Sequence, residues 1–162
     1  MKKILNPAFI LFAVIAFTAC KKDNPVTNKP VTGSFSYKAD GGATVIADST
    51  QAVLYTLGVA PFSRMIDVYA FKGGKQTMEF HFQPKTGSVT ADGTFTNAWL
   101  TYTTGINYPD DYYNSTSGTL NIAVCDTVAK KIEGTFNFTG NNGAANKAIT
   151  EGAMKINITE IR

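Results

Sequence analysis

His81 is the only histidine of the 162-residue chain, and Cys125 is one of two cysteines. Acid–base or nucleophilic chemistry would need such a group beside a carboxylate or a hydroxyl. No nucleophile motif of the G-x-S-x-G kind is present. His81 falls with Thr77 and Glu79 on the polar side of an alternating stretch, opposite Phe80, and reads as a solvent-facing strand histidine. Cys125 follows Leu120, Ile122 and Val124 and is assigned to the face opposite them, near a turn. No basic neighbour in sequence before Lys130 would lower its pKa. A zinc site would have to combine His81, Cys125 and scattered carboxylates without ligand spacing. Asp110-Asp111 clusters oxygens of the kind calcium takes, but lacks the alternating acidic pattern of a dedicated loop. The pair reads as solvated. The sequence therefore predicts no catalytic residue, no metal and no cofactor.

The aromatic group Trp99, Tyr102, Tyr108, Tyr112 and Tyr113 is the strongest binding signal. Aromatic faces stack on the apolar faces of sugars, while nearby Asp and Asn side chains accept hydrogen bonds from hydroxyls. These residues form either a glycan platform or core and edge packing that caps the fold. The leading expectation is a non-catalytic binding or structural module, with a glycan or an envelope protein as partner. The alternative is a glycan-acting hydrolase, which predicts two carboxylates converging in a cleft about 5–10 Å apart.

The N-terminus addresses the chain for export. Met1-Lys2-Lys3 is a short positive region, followed by an apolar run from Ile4 to Phe17 broken only by Asn6 and Pro7. This run is short for a transmembrane helix, which needs about 20 apolar residues. Small residues Thr18-Ala19 precede Cys20. The arrangement resembles a bacterial lipobox, with Phe17 in place of the usual aliphatic residue. The resemblance implies a signal peptide over 1–19, cleavage before Cys20, and acylation of that cysteine. With about 0.8 kcal/mol per buried CH₂, two or three acyl chains hold permanently to a membrane. Loss of Lys2 and Lys3 takes the formal charge from +3 to +1, so no electrostatic case exists for nucleic acid. A lipidated Cys20 also leaves Cys125 without an intramolecular disulfide partner.

Residues 20–33 form a flexible linker rich in Pro, Asn, Thr and Lys, without apolar periodicity. Extended, they reach roughly 40 Å. Residues 34–162 then read as one all-β domain. Strands are read at 34–39 and 43–47, in an apolar run at 51–59, and in alternating stretches at 64–72 and 76–83, with 73–74 as a two-glycine hairpin turn. A short strand is read at 88–90 and a longer one at 94–104. Residues 105–117 read as a polar, aromatic loop. Leu120, Ile122 and Val124, then Ile132, Gly134, Phe136 and Phe138, then Met154, Ile156 and Ile158 mark three closing strands. About nine to ten strands predict a single antiparallel β-sandwich, or a barrel-like domain. Gly134 within a strand signals a bulge or a close backbone approach. Gly152 signals a bulge or turn that re-aims the last strand.

Gly118-Thr119-Leu120-Asn121-Ile122, Ile132-Glu133-Gly134-Thr135-Phe136-Asn137-Phe138 and Ile149-Thr150-Glu151-Gly152-Ala153-Met154 form a series. It resembles the strands of a family of small Bacteroidota lipoproteins, a domain-of-unknown-function group. Phe35-Ser36-Tyr37-Lys38-Ala39-Asp40-Gly41 is similar to that family's opening strand and turn, while Met154 stands where an aromatic is common. The resemblance implies an all-β fold and an outer-membrane location, periplasmic or surface-exposed, and supplies no catalytic residues. Cys20-Lys21-Lys22-Asp23 looks like the charged start of such lipoproteins and favours surface display. Asp48-Ser49-Thr50 and Asp126-Thr127-Val128 resemble the Asp-Ser/Thr-x O-glycosylation motif of exported Bacteroidota proteins, with Ser49 and Thr127 as acceptors.

Overall fold

The computed structural model describes residues 33–59 and 62–162. The leader 1–19, Cys20 and the tether up to residue 32 lie outside the described residues. Eleven strands follow: β1 Ser34–Ala39, β2 Val45–Ile46, β3 Ser49–Val59, β4 Phe62–Lys72, β5 Lys75–Phe82, β6 Gly87–Thr90, β7 Ala98–Thr103, β8 Tyr112–Asp126, β9 Lys131–Asn141, β10 Asn146–Asn157 and β11 Glu160–Ile161. They form one sheet in the order β11-β3-β4-β5-β7-β8-β9-β10-β1-β2, with β6 pairing β8 off this path. Every pairing is antiparallel except β11 with β3.

The all-β class holds; of the two predicted arrangements the sandwich is not confirmed, and the sheet lies nearer the barrel-like one. All strands belong to one sheet, curled into an open half-barrel, and its concave face encloses the core. The physical cause is the meander. Each long strand pairs with a neighbour in sequence, and strand twist accumulates along the path. Apolar side chains all on one face then drive the sheet to curl upon itself. Phe35 on β1 lies 5.5 Å from Phe80 on β5 and 5.1 Å from Phe136 on β9, and Phe80 is 4.8 Å from Phe136. β1 and β5 are five places apart in the sheet, so these rings meet across the curl. The sheet's two ends are also joined by the chain itself. Ala47 N–H donates to Phe35 O at 2.9 Å, and Asp48 N–H donates to Phe71 O at 2.8 Å.

Two predicted glycine roles are visible. The β8 register slips between Ile122 and Val124 opposite β9, and a Cβ on Gly134 would lie 2.5 Å from Asn121 O. The β10 register slips between Ile149 and Gly152, where Glu151 adopts φ 51°. Gly152 itself lies under the Phe136 ring.

Two expectations are corrected. Residues 112–117, read as loop, are the first part of β8. Their alternation was hidden because a polar residue, Ser115, takes an inward position and its Oγ accepts from Leu100 N–H at 3.1 Å. Cys125 packs against the core instead of facing away from it. The Ile122/Val124 bulge inverts the alternation beyond it.

Antiparallel order sorts the connections to two ends. The turns at 40–44 and 73–74 and the loops 104–111 and 142–145 share one end. Asn142 Nδ2 donates to Asp110 O at 2.6 Å there, and Lys147 pairs with Asp40. Gly33, which opens β1, lies against Lys155 O and Ile156 at the opposite end.

Candidate functional site

The hairpin β4–β5 builds the most unusual feature of the convex face. Ile66, Val68 and Ala70 must face the core together with Met78, Phe80 and Phe82. A two-residue turn at 73–74 pairs Lys72 with Lys75 and Phe71 with Gln76. Continued without interruption, that register would place Asp67 against Phe80. A bulge between Ala70 and Phe71 shifts it by one residue, so Asp67 lies opposite His81, outside the core.

His81 Nδ1 is 2.6 Å from Asp67 Oδ1, and Nε2 is 3.0 Å from Glu79 Oε1. Both ring nitrogens thus face carboxylate oxygens, an arrangement that suits an imidazolium, which donates from both. Burial works to lower the His81 pKa. The hydrogen bonds to Asp67 and Glu79, and the charges of both carboxylates, outweigh it and raise the value to about 9. The hydrogen bond from His81 in turn holds the Glu79 carboxyl below the ordinary range, against its partial burial. The histidine side chain is only 17% exposed, so the expected solvent-facing histidine is instead a half-buried cation clasped by two carboxylates. A parity conflict could have found it. Core faces on both strands are incompatible with an uninterrupted two-residue turn, so a bulge had to exist and Asp67 had to approach His81.

Tyrosines on the same face complete the clasp. Tyr55 Oη donates to Asp67 Oδ1 at 3.1 Å, and Tyr69 Oη donates to Oδ2 at 3.4 Å. Burial, followed by the negative charge of Asp67, pushes both phenols up to about 12. Both remain protonated donors at neutral pH.

On β7, Trp99 stands opposite His81, with ring centroids 6.2 Å apart. Its Nε1–H donates to Asn114 Oδ1 at 3.1 Å, which also accepts from Thr101 Oγ1 at 2.9 Å. Phe95, 48% exposed, packs 5.1 Å from Trp99 and 6.0 Å from His81. The loop carrying it is fixed by Asp92, whose carboxylate accepts from Thr94 and Asn97.

The five predicted platform aromatics do not share one surface. Trp99 belongs to the convex face. Tyr102 and Tyr113 pair across β7 and β8 with centroids 6.1 Å apart, and Tyr102 packs against the core beside Tyr37. Tyr113 is buried. Tyr108 is 77% exposed and meets Tyr112 edge-on at 5.5 Å at the loop end. Asp111 accepts from Asn107 N–H and Thr104 Oγ1, so it serves the loop's own structure. Ser49 is half-buried at the start of β3, and Asp48 binds Lys72 and Gly73 N–H. Thr127 lies half-exposed in the β8–β9 turn, where Asp126 accepts from Val128 and Ala129 N–H groups. Among the described residues, no group of three or more His, Cys, Asp or Glu side chains is arranged to hold a metal ion, and no helix is long and apolar enough to cross a membrane. In comparisons with known proteins, the chain matches no family model, no curated protein and no solved structure.

Proposed function

We propose that this chain is an exported lipoprotein of the outer membrane, anchored through Cys20, whose domain is a non-catalytic glycan-binding module. The observation that carries the reading is the convex face of β3, β4, β5, β7 and the start of β8. There Trp99 and Phe95 present aromatic surface beside an ordered row of hydrogen-bonding groups, Asp67, Glu79, Tyr55, Tyr69 and Asn114. Rigid strands hold these side chains in place before a ligand arrives, which limits the entropy cost of binding. The reading moves the expected platform from the Tyr108–Tyr113 loop to the sheet and keeps Trp99 at its centre. The resemblance to Bacteroidota lipoproteins and the leader preceding Cys20 support the location. The chain junction that joins both ends of the curled sheet supports a barrel-like unit.

A hydrolase would need one of two convergent carboxyls protonated as general acid. Asp67 and Glu79 do converge, but on one imidazolium, and Glu79 is held in the opposite direction, below the ordinary range. This favours binding over hydrolysis. The test is a glycan-array and pull-down screen with the soluble domain from residue 34 onward, with Trp99→Ala alongside. Retention of a glycan that Trp99→Ala loses is the expected result. A well-folded sample that retains no glycan overturns the glycan reading and leaves an envelope-protein partner or a structural role.

A further inference from the structure

A shallow open depression of about 450 Å³ lies on the outer side of β3 and β4, lined by Gln51, Val53, Tyr55, Asp67, Tyr69 and Arg162. Its polar groups are unequally committed. The Arg162 guanidinium is engaged in two places by Glu160, Nε to Oε1 and Nη2 to Oε2. Its charge is therefore matched, and two of its five N–H donors are used. Asp67 is different. Oδ1 accepts from His81 and Tyr55, whereas Oδ2 receives only the long 3.4 Å bond from Tyr69. A carboxylate offers about four lone-pair sites, so Oδ2 retains capacity. Tyr55 and Tyr69 spend their protons on Asp67 and keep oxygen lone pairs available. Around Asp67 the depression therefore presents acceptors, while Gln51 and Arg162 supply donors elsewhere in its lining.

The charges agree with this. Among the lining residues Asp67 and Arg162 carry opposite charges; counting Glu160, which pairs with Arg162, and the His81 and Glu79 pair beside Asp67 brings the group to a net negative charge. Two tyrosine rings beside a carboxylate also suit a cation, through ring quadrupoles and charge-assisted hydrogen bonds.

We propose that this depression takes a protonated amine, and that the glycan it belongs to carries non-acetylated hexosamine. The inference rests on the glycan-binding reading and names the sugar class. An ammonium group would donate to Asp67 Oδ2 and to the tyrosine oxygens. An N-acetyl group would lose the charge and two donors. A uronate would meet the carboxylates with the wrong sign.

The test is titration calorimetry on the full chain carrying Cys20→Ala, with three probes of equal length: a glucosamine oligomer, its fully N-acetylated form, and a uronic acid oligomer. The glucosamine oligomer is expected to bind about tenfold or more tightly than the N-acetylated form, and the uronate not at all. Asp67→Asn should remove that preference. Because Asp67 also supports His81, Glu160→Gln gives a second reading that leaves the clasp intact. It frees the Arg162 charge and should weaken glucosamine binding about fivefold. Equal affinity for both hexosamine forms, or unchanged binding by Glu160→Gln, overturns the amine assignment while leaving glycan binding in place. A simple alkylammonium ion binding as tightly as the oligomer overturns the sugar assignment. Binding of no saccharide by folded protein overturns both readings.

Discussion

Asp67 and His81 occupy directly opposed positions on β4 and β5, with Oδ1 and Nδ1 2.6 Å apart. The pair sits beneath two tyrosine hydroxyls and is shared with Glu79. Its pH dependence follows from the two shifted groups. His81 rises from 6.5 to about 9 on folding. Its contribution is therefore complete below pH 6.5, shrinks above it and is gone once pH passes through 9. Glu79 is lowered from 4.5, so its contribution is present above that value and lost as pH falls. The His81 part amounts to at most about 3.5 kcal/mol, at about 1.4 kcal/mol per tenfold change in proton affinity, before solvent screening reduces it. Urea midpoints should be highest near pH 5–6.5 and decline toward pH 9. His81→Gln should flatten the decline. A histidine NMR titration with a midpoint near 6.5 would refute the clasp.

That clasp also marks how far the sequence could be read. The alternation of Ile66, Val68 and Ala70, and of Met78, Phe80 and Phe82, announces both strands and their inward faces. The glycine pair at 73–74 announces the turn. Each signal is local, and they conflict by one residue, which only a bulge reconciles. Cys125 was misplaced for the same reason, because the bulge at Ile122/Val124 leaves no mark in the side-chain pattern before it. The single curled sheet was equally hidden. Period-2 alternation reports which side of a strand is buried, not whether the opposing apolar face belongs to another sheet or to the far wall of the same one. Trp99 was legible as a candidate for a ligand platform, but its neighbours on the convex face come from β4 and β5, and only the register brings them together.

Phe80 is the ring on which the curl closes. It touches Phe35 and Phe136 from strands distant in the sheet, with Phe138 at 6.5 Å, and is fully buried. Truncation would remove contacts on both walls at once and leave a cavity that aromatic neighbours cannot readily fill. Phe80→Ala should cost about 3–5 kcal/mol in chemical denaturation, and Phe80→Leu less than half of that. A loss below about 1 kcal/mol for the alanine variant would mean that the walls do not depend on this contact.

Gly152 makes a different prediction, because the cost is steric rather than a lost contact. A methyl group there would overlap the Phe136 ring, which is itself held against Phe35 and Phe80. Gly152→Ala should therefore destabilise the domain by about 1–3 kcal/mol. Shrinking the ring should recover part of the loss, so the Gly152→Ala, Phe136→Leu double variant should be more stable than the sum of the single changes implies. Strict additivity in a denaturation cycle would show that the two residues do not compete for the same space.

Cys20 is tested by separating anchoring from folding. Among the described residues, the core is drawn from residues 35–158. Gly33 stands at the end of the sheet opposite the loops 104–111 and 142–145. Tethering raises local concentration, and weak contacts with neighbouring glycans then suffice for useful binding. Cys20→Ala should move the protein from the membrane fraction to the soluble fraction, with an unchanged urea midpoint and an unchanged His81 titration. A variant that keeps both properties yet still sediments wholly with membranes would refute the lipid anchor and transfer the membrane attachment to another part of the chain.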